Sequence, residues 1–188
     1  MRAEIGTVLL LIARAAIARA LGTEVVAQED APWLAERGAT FVTLRKGGSL
    51  RGCIGSLEAH RPLLLDVKAN AVAAAFRDPR FLPVTYLELD EIRIEVSLLS
   101  PISAIEFESE DDALACLRPF EDGVVLEYGT HRGTFLPQVW EDLPDPAMFL
   151  NQLKRKAGLS ASFWADDIRL SRYSVSKWFE TETAIAPS

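Results

Sequence analysis

Residues 39–57, ATFVTLRKGGSLRGCIGSL, decide the fold because they predict a β-hairpin. Residues 39–45 carry the β-branched and aromatic side chains that favour strands. The Gly47-Gly48 pair has the backbone freedom of a tight turn, and residues 49–57 then return as the second strand.

Helical periodicity flanks the hairpin on both sides. Upstream, an apolar stripe recurs at helical spacing at Val8, Ile12, Ala15 and Ala16. Downstream, Pro62 suits the first turn of a helix, and Asp78-Pro79 would end it. The apolar face of that second helix comprises Leu64, Val67, Ala71 and Ala75. Both helices therefore have a face to bury against a sheet.

Residues 91–100 show the regular alternation of a strand. One side carries Ile92, Ile94, Val96 and Leu98, and the other carries Arg93, Glu95 and Ser97. This pattern predicts a strand that is covered on one face.

The second half of the chain continues with strands and helices. Residues 123–127 and 132–136 predict another hairpin, and residues 170–179 predict a closing strand. A helix is expected to start at Asp145-Pro146 and to end at Gly158. Its inward positions are Phe149 and Leu153. Hairpin-joined strands with helices between the groups indicate an α+β fold, with a mostly antiparallel or mixed sheet flanked by helices.

The composition is that of a globular protein with an acidic surface. The 188 residues are 49% hydrophobic and 25% charged, which excludes a disordered or low-complexity chain. A net charge of −7 repels phosphate backbones and disfavours a general nucleic-acid-binding role. The longest basic cluster, Lys154-Arg155-Lys156, falls in a helical pattern and is interpreted as a solvated face.

The cysteines and the N-terminus favour a cytoplasmic protein. Cys53 and Cys116 are too few for a disulfide framework, and no Cys/His spacing indicates a metal site. The apolar run at residues 7–13 is interrupted downstream by Arg14 and Arg19. It is far shorter than the roughly 20 apolar residues of a membrane span, so we expect no membrane insertion.

The segment LRGCIG, residues 50–55, contains the strongest candidates for a chemical role. In an extended strand Arg51 and Cys53 share a face about 6.8 Å apart, and a guanidinium beside a thiol favours the reactive thiolate. Gly52 and Gly55 leave room for another backbone or a ligand. The alternative is that Cys53 is a small buried hydrophobe and that the glycines mark a β-bulge.

The other candidate residues each have a structural alternative. Glu95 is the most plausible acid, or else part of a solvated strand face. His60 and His131 are either site residues or ordinary surface histidines. Asp78-Pro79-Arg80-Phe81 is either part of a site or a helix stop with a local ion pair. Gln138 is either a ligand contact or a buried amide. Cys116 is interpreted as a packed thiol.

Five short motifs occur in order along the chain. They are FVTL (41–44), LRGCIG (50–55), DPRFLPV (78–84), IEVSLLS (94–100) and FLPQV (135–139). Together they resemble the AMMECR domain family, and KAGL at residues 156–159, followed by Trp164, continues the match. The resemblance covers one domain over residues 5–180, with residues 181–188 as a C-terminal tail. It implies a larger and a smaller subdomain.

The resemblance also implies partners. The chain is most similar to stand-alone prokaryotic members that are encoded with a Memo-like protein and a radical SAM protein. Many relatives carry a cysteine just before KAGL, where this chain has Lys154 and Arg155. This difference argues against a redox mechanism that uses two cysteines.

Two hypotheses follow from these residues. The first is an accessory protein that binds a small ligand or a partner segment in a cleft around LRGCIG. Its contact residues would be Arg51, Gly52, Cys53, Gly55, Asp78, Arg80, His131 and Gln138. The alternative is a thiol-dependent enzyme with Cys53 as nucleophile, Arg51 as its activator, and Glu95 or His131 as acid or base. No cofactor follows from the sequence.

Overall fold

A computed structural model describes residues 2–181 of the chain. The chain divides into two units, residues 1–99 with 176–188 (unit 1) and residues 100–175 (unit 2). Of the expected C-terminal tail, only Thr181 lies within the described residues. The elements confirm the α+β fold.

The helices and strands are as follows. The α-helices of the described part are α1 (Arg2–Ala20), α2 (Leu63–Phe76), α3 (Glu110–Cys116) and α4 (Pro146–Lys156). Its strands are β1 (Arg37–Gly38), β2 (Thr40–Lys46), β3 (Ser49–Gly55), β4 (Arg61–Pro62), β5 (Ile92–Leu99), β6 (Ser103–Ile105), β7 (Gly123–Tyr128), β8 (His131–Phe135), β9 (Arg169–Tyr173) and β10 (Val175–Phe179).

The predicted hairpin at residues 39–57 is confirmed as β2 and β3. Gly47 and Gly48 connect the strands with φ angles of 57° and 80°, in the left-handed region that glycine tolerates. The sheet of unit 1 has the order β10-β5-β2-β3, with β2 antiparallel to both β3 and β5. Helix α2 packs against β2 and β3, and α1 packs against β5 and α2. Val42, Leu44, Ile94 and Val96 form the buried strand contribution to this core.

Unit 2 has a second sheet in the order β6-β9-β7-β8 and its own core. The predicted helix start is confirmed, because the Asp145 carboxylate accepts the Met148 N–H at 2.9 Å. The predicted end is confirmed at Gly158, which has a φ of 84°. Phe149 is fully buried as expected, and its ring stacks on Trp140 with 3.7 Å between centroids.

The prediction of one closing strand over residues 170–179 is wrong. The chain forms two strands there, separated at Ser174, and they belong to different sheets. Strand β9 pairs with β6 and β7, whereas β10 lies beside β5. An unbroken pattern of strand-forming side chains does not reveal which partner each half takes.

The interpretation of the basic cluster as a solvated face is wrong for Lys154, which is fully buried. Its Nζ donates hydrogen bonds to the Glu110 carboxylate and, at 3.1 Å, to the Ala161 carbonyl oxygen. It also lies 5.4 Å from the centre of the Trp164 ring. Lys154 follows buried Leu150 by four residues, so helical spacing places both on the inner face of α4.

None of the helices in the described residues is long and apolar enough to cross a membrane.

Candidate functional site

Cys53, Thr43 and Glu95 lie in one cross-strand row of the unit 1 sheet. Thr43 of β2 is paired with Cys53 of β3 on one side and with Glu95 of β5 on the other. The Thr43 hydroxyl donates a hydrogen bond to Cys53 Sγ at 3.2 Å. Sequence reasoning missed Thr43. Counting back from the Gly47-Gly48 turn pairs it with Gly52, but a register shift at Leu44/Arg45 adds one residue to β3.

Arg51 is that extra residue, because Arg45 is paired with Leu50 and Leu44 with Gly52. Its guanidinium lies on the Glu88 carboxylate, with Nε 3.1 Å from Oε1 and Nη2 3.2 Å from Oε2. Nη1 also donates to the Leu82 carbonyl oxygen at 2.9 Å. This bidentate pair joins β3 to the segment after α2. Hydrogen bonds from Arg51 and from the Thr85 N–H lower the pKa of Glu88 from 4.5 to about 2.

Asp78 and Arg80 hold the Cys53 peptide group. The Asp78 carboxylate accepts the Cys53 N–H at 2.9 Å, and Arg80 Nη2 donates to the Cys53 carbonyl oxygen at 3.4 Å. The two side chains also pair with each other at 2.7 Å, which gives the predicted local ion pair. Hydrogen bonds from the Arg80 guanidinium and from the backbone N–H groups of Cys53 and Arg80 hold the pKa of Asp78 well below its usual range. Since β3 is an edge strand, the pair covers backbone groups that would otherwise be open to another strand.

The two glycines of LRGCIG allow close contacts within the fold. A Cβ at Gly52 would lie 2.1 Å from the Ala74 carbonyl oxygen of α2. A Cβ at Gly55 would lie 2.3 Å from the ring of Phe41, its cross-strand partner. Gly52 is therefore required for the approach of another backbone, one of the two possibilities that the sequence left open.

The interpretation of Glu95 as part of a solvated strand face is wrong. Glu95 is only 8% exposed and Ser97 only 6%. Arg45 Nε lies 3.7 Å from the Glu95 carboxylate. Cys53 and Glu95 are two strand spacings apart, about 9.6 Å, with Thr43 between them. The sheet aligns these two candidates without bringing them into contact.

A buried carboxylate beside the motif was also missed. Asp66, in the first turn of α2, is 1% exposed. It accepts hydrogen bonds from the Thr40 N–H and hydroxyl, the Ser56 hydroxyl, Arg61 Nε and Asn70 Nδ2, all at 2.7 to 3.0 Å. These contacts join α2 to the start of β2, the end of β3 and β4. In sequence, Asp66 looks like an ordinary acid near a helix N-terminus.

The histidines differ from each other. His60 is exposed beside Glu58, so the surface interpretation is confirmed for it. It is wrong for His131 of unit 2, which is half-buried and whose Nδ1–H donates to the Ala157 carbonyl oxygen at 3.0 Å. Ala157 follows the last residue of α4, and this bond satisfies a free carbonyl there.

The remaining candidates also lie in unit 2. Gln138 is exposed in a short 3-10 helix, Pro137–Glu141, so its interpretation as a buried amide is wrong. Cys116 is half-buried in the unit 2 core, as expected for a packed thiol. Within residues 2–181, no group of three or more His, Cys, Asp or Glu residues could hold a metal ion.

Proteins of similar sequence and structure occur in several other organisms. Protein MJ0810 of Methanocaldococcus jannaschii is 36% identical over 184 residues, covering 95% of this chain and 92% of its own length. A protein of Methanothermobacter thermautotrophicus is 41% identical over 147 residues, or 77% of each chain. The crystal structure of uncharacterized protein PH0010 from Pyrococcus horikoshii matches with a TM-score of 0.77 and 34% identity, over 98% of this chain and 95% of that chain.

The fold and the motif strand define an α+β protein with two four-stranded sheets, a two-stranded sheet of β1 and β4, and a Cys-containing edge strand held by two ion pairs. The AMMECR1 family model matches residues 10–178. The chain belongs to the AMMECR1 family.

Proposed function

We propose that this protein is a binding component, protein A of an AmmeMemoRadiSam system, that acts in the cytoplasm with a Memo-like protein and a radical SAM protein. The proposed contact surface is the loop of residues 78–88, which lies on the LRGCIG strand. We call it the 78–88 loop. The named partners come from the family resemblance, and the choice of surface comes from the geometry of the loop.

The observation that carries the proposal is an exposed set of apolar side chains on this loop. Leu82 is 82% exposed, Leu87 83% and Tyr86 61%. Leu50 of the neighbouring β3 is 39% exposed. Single exposed apolar residues are common on protein surfaces, but several on one short segment are typical of an interaction site.

The backbone of the 78–88 loop is nevertheless held at several points. Arg51 binds the Leu82 carbonyl oxygen and the Glu88 carboxylate, and the Val84 N–H donates to the Ala75 carbonyl oxygen at 2.8 Å. The Glu88 carboxylate also accepts the N–H of Thr85 at 3.0 Å. Ordering a loop costs conformational entropy, and here the ordered loop leaves Leu82, Tyr86 and Leu87 in water. A preorganised loop of this kind loses less entropy on binding a partner.

The charges around the motif favour binding over catalysis. Arg51 is bound to Glu88, and Arg80 to Asp78, so both guanidinium groups already have carboxylate partners. Their hydrogen bonds hold the loop and the Cys53 peptide group in place. In this arrangement LRGCIG supports the binding surface.

Copurification from a native strain tests the proposal. The tagged wild-type chain should retain the Memo-like and radical SAM proteins, and Leu82→Ser with Leu87→Ser should lose them without loss of fold, because both side chains are exposed. Val26→Ser is the matched control, since Val26 is 91% exposed elsewhere in unit 1. A wild-type chain that retains neither protein, or a double variant that retains both, would contradict the proposal.

A second candidate function is a thiol-dependent enzyme with Cys53 as nucleophile. It is supported by the hydrogen bond from the Thr43 hydroxyl to Cys53 Sγ, which holds the thiol in one position. Iodoacetamide should then label Cys53 faster than Cys116, the other half-buried cysteine, and Thr43→Val should remove that difference. Equal labelling of the two cysteines in the wild-type chain would exclude this role.

A further inference from the structure

We propose that unit 1 has a second binding site, for an apolar α-amino acid, in a cavity between α1 and the ends of β5 and β10. The cavity has a volume of about 520 Å³, within the usual range for small-molecule sites. It is independent of the 78–88 loop, and none of its lining residues belongs to the LRGCIG motif.

One side of the cavity is apolar. It is formed by Leu10 and Leu11 of α1 and by Phe179, the last residue of β10. Leu11 is 44% exposed and Phe179 58% exposed. A branched or aromatic side chain of a ligand could cover both and remove apolar area from water.

Two of the charged lining residues neutralise each other. Arg14 Nε and Nη2 each lie 2.5 Å from a carboxylate oxygen of Glu180. Arg14 also donates to the carbonyl oxygens of Leu89 and Ile92, at 3.0 and 2.8 Å. The Glu180 carboxylate accepts the Ile94 N–H at 2.9 Å. This pair has a structural role, because it fixes the end of β10 to α1 and β5.

The other two charged lining residues, Asp90 and Arg93, retain unused capacity. Arg93 Nη1 donates to the carbonyl oxygens of Asp90 and Ile92, at 2.8 and 3.1 Å. Its Nε and Nη2 have no hydrogen-bond acceptor among residues 2–181. Within the same residues the Asp90 carboxylate accepts no hydrogen bond from a side chain or backbone N–H, and its charge attracts the nearby Arg14, whose guanidinium is already bound by Glu180. The cavity therefore offers one carboxylate, one guanidinium edge and an apolar wall.

These three features match the three parts of an apolar α-amino acid. The ligand ammonium would pair with Asp90, the ligand carboxylate with Arg93, and the ligand side chain would lie against Leu11 and Phe179. A simple amine or a simple carboxylate would leave one of the two protein charges without a partner. The geometry thus favours a zwitterion over a ligand with one charge.

NMR titration of the full chain tests this site. L-leucine should give saturable shifts at Leu10, Leu11 and Phe179. N-acetyl-L-leucine lacks the ammonium and L-leucinamide lacks the carboxylate, so each should bind at least about tenfold more weakly. Absence of saturable shifts, or equal binding of all three compounds, would overturn the proposal.

Two variants test whether Asp90 binds the ligand ammonium and Arg93 the ligand carboxylate. Asp90→Asn should bind L-leucine about tenfold more weakly and lose its preference over N-acetyl-L-leucine, whereas Arg93→Gln should lose its preference over L-leucinamide. Glu24→Gln is the control, because Glu24 is an exposed acid of unit 1 outside the cavity lining. Variants that keep the wild-type preferences would overturn the assignment. Since Leu82 and Leu87 lie outside the cavity, failure here would leave the copurification result unchanged.

Discussion

The guanidinium of Arg51 and the carboxylate of Glu88 form two parallel hydrogen bonds, at 3.1 and 3.2 Å, across 37 residues of sequence. Arg51 is 14% exposed and Glu88 18% exposed at the side chain. The pair joins the bulge of β3 to the 78–88 loop, so the position of the proposed contact surface depends on the motif strand. This coupling makes the contribution of Arg51 measurable through stability as well as binding.

Arg51→Ala should destabilise the chain by about 2 kcal/mol, since it leaves the Glu88 carboxylate and the Leu82 carbonyl oxygen without their donor. For a chain of this size, the melting temperature should fall by about 4–8 °C. Arg45→Ala is the control, because Arg45 is 47% exposed and both of its contacts are long, at 3.7 Å to the Glu95 carboxylate and 3.5 Å to the Gly48 carbonyl oxygen. It should change the melting temperature little. Equal effects of the two variants would contradict the assigned role of Arg51.

Glu88→Gln should make the free energy of unfolding less dependent on pH in the acidic range. The pKa of Glu88 is lowered from 4.5 to about 2 in the folded chain, so the ion pair stabilises the fold fully above about pH 4.5. That contribution is lost as pH falls through about 2. Urea unfolding should show the variant less stable by about 1 kcal/mol at pH 7, with the difference narrowing towards pH 2. A difference that is constant with pH would count against this explanation.

Gly52→Ala should be more harmful than Gly55→Ala. The new methyl group at Gly52 meets a backbone oxygen of α2, which cannot move without shifting the helix, whereas at Gly55 it meets the Phe41 side chain, which can change its rotamer. We expect a loss of about 2 kcal/mol for Gly52→Ala and about 1 kcal/mol for Gly55→Ala. Chemical denaturation of both variants measures the difference, and the reverse order would show that the helix yields more easily than the ring.

Asp66→Asn should destabilise the chain by about 3 kcal/mol. The substitution places an NH₂ group among five hydrogen-bond donors in a buried site. Asp111→Asn, at an exposed position of α3, should change the free energy of unfolding by less than about 0.5 kcal/mol. Equally small effects of Asp66→Asn and Asp111→Asn would mean that the hydrogen bonds around Asp66 contribute little to the free energy of unfolding.

Local patterns were sufficient to predict much of the fold. The Gly47-Gly48 turn, the Asp145 cap and the Gly158 helix end are set by neighbouring residues, and all three are present. The family was also recognisable, because its motifs occur in order along the chain.

Contacts between distant residues could not be predicted in this way. Nothing near Glu88 in the sequence indicates Arg51 as its partner. The glycines of LRGCIG are consistent with a bulge, but they do not show that it aligns Thr43 with Cys53. The charge of Lys154 favours a solvated position, but its helical spacing from Leu150 places it on the buried face of α4. Each of these features depends on tertiary packing rather than on local preference.

Amide hydrogen exchange of the wild-type chain, with and without the purified Memo-like and radical SAM proteins, tests the binding surface most directly. The exchange rate of backbone amides reports their protection residue by residue. If the 78–88 loop is the contact surface, complex formation should slow exchange across residues 78–88 and leave the exposed segment around Val26 unchanged. A complex that forms without any added protection of residues 78–88, or no complex at all, would contradict the proposed function.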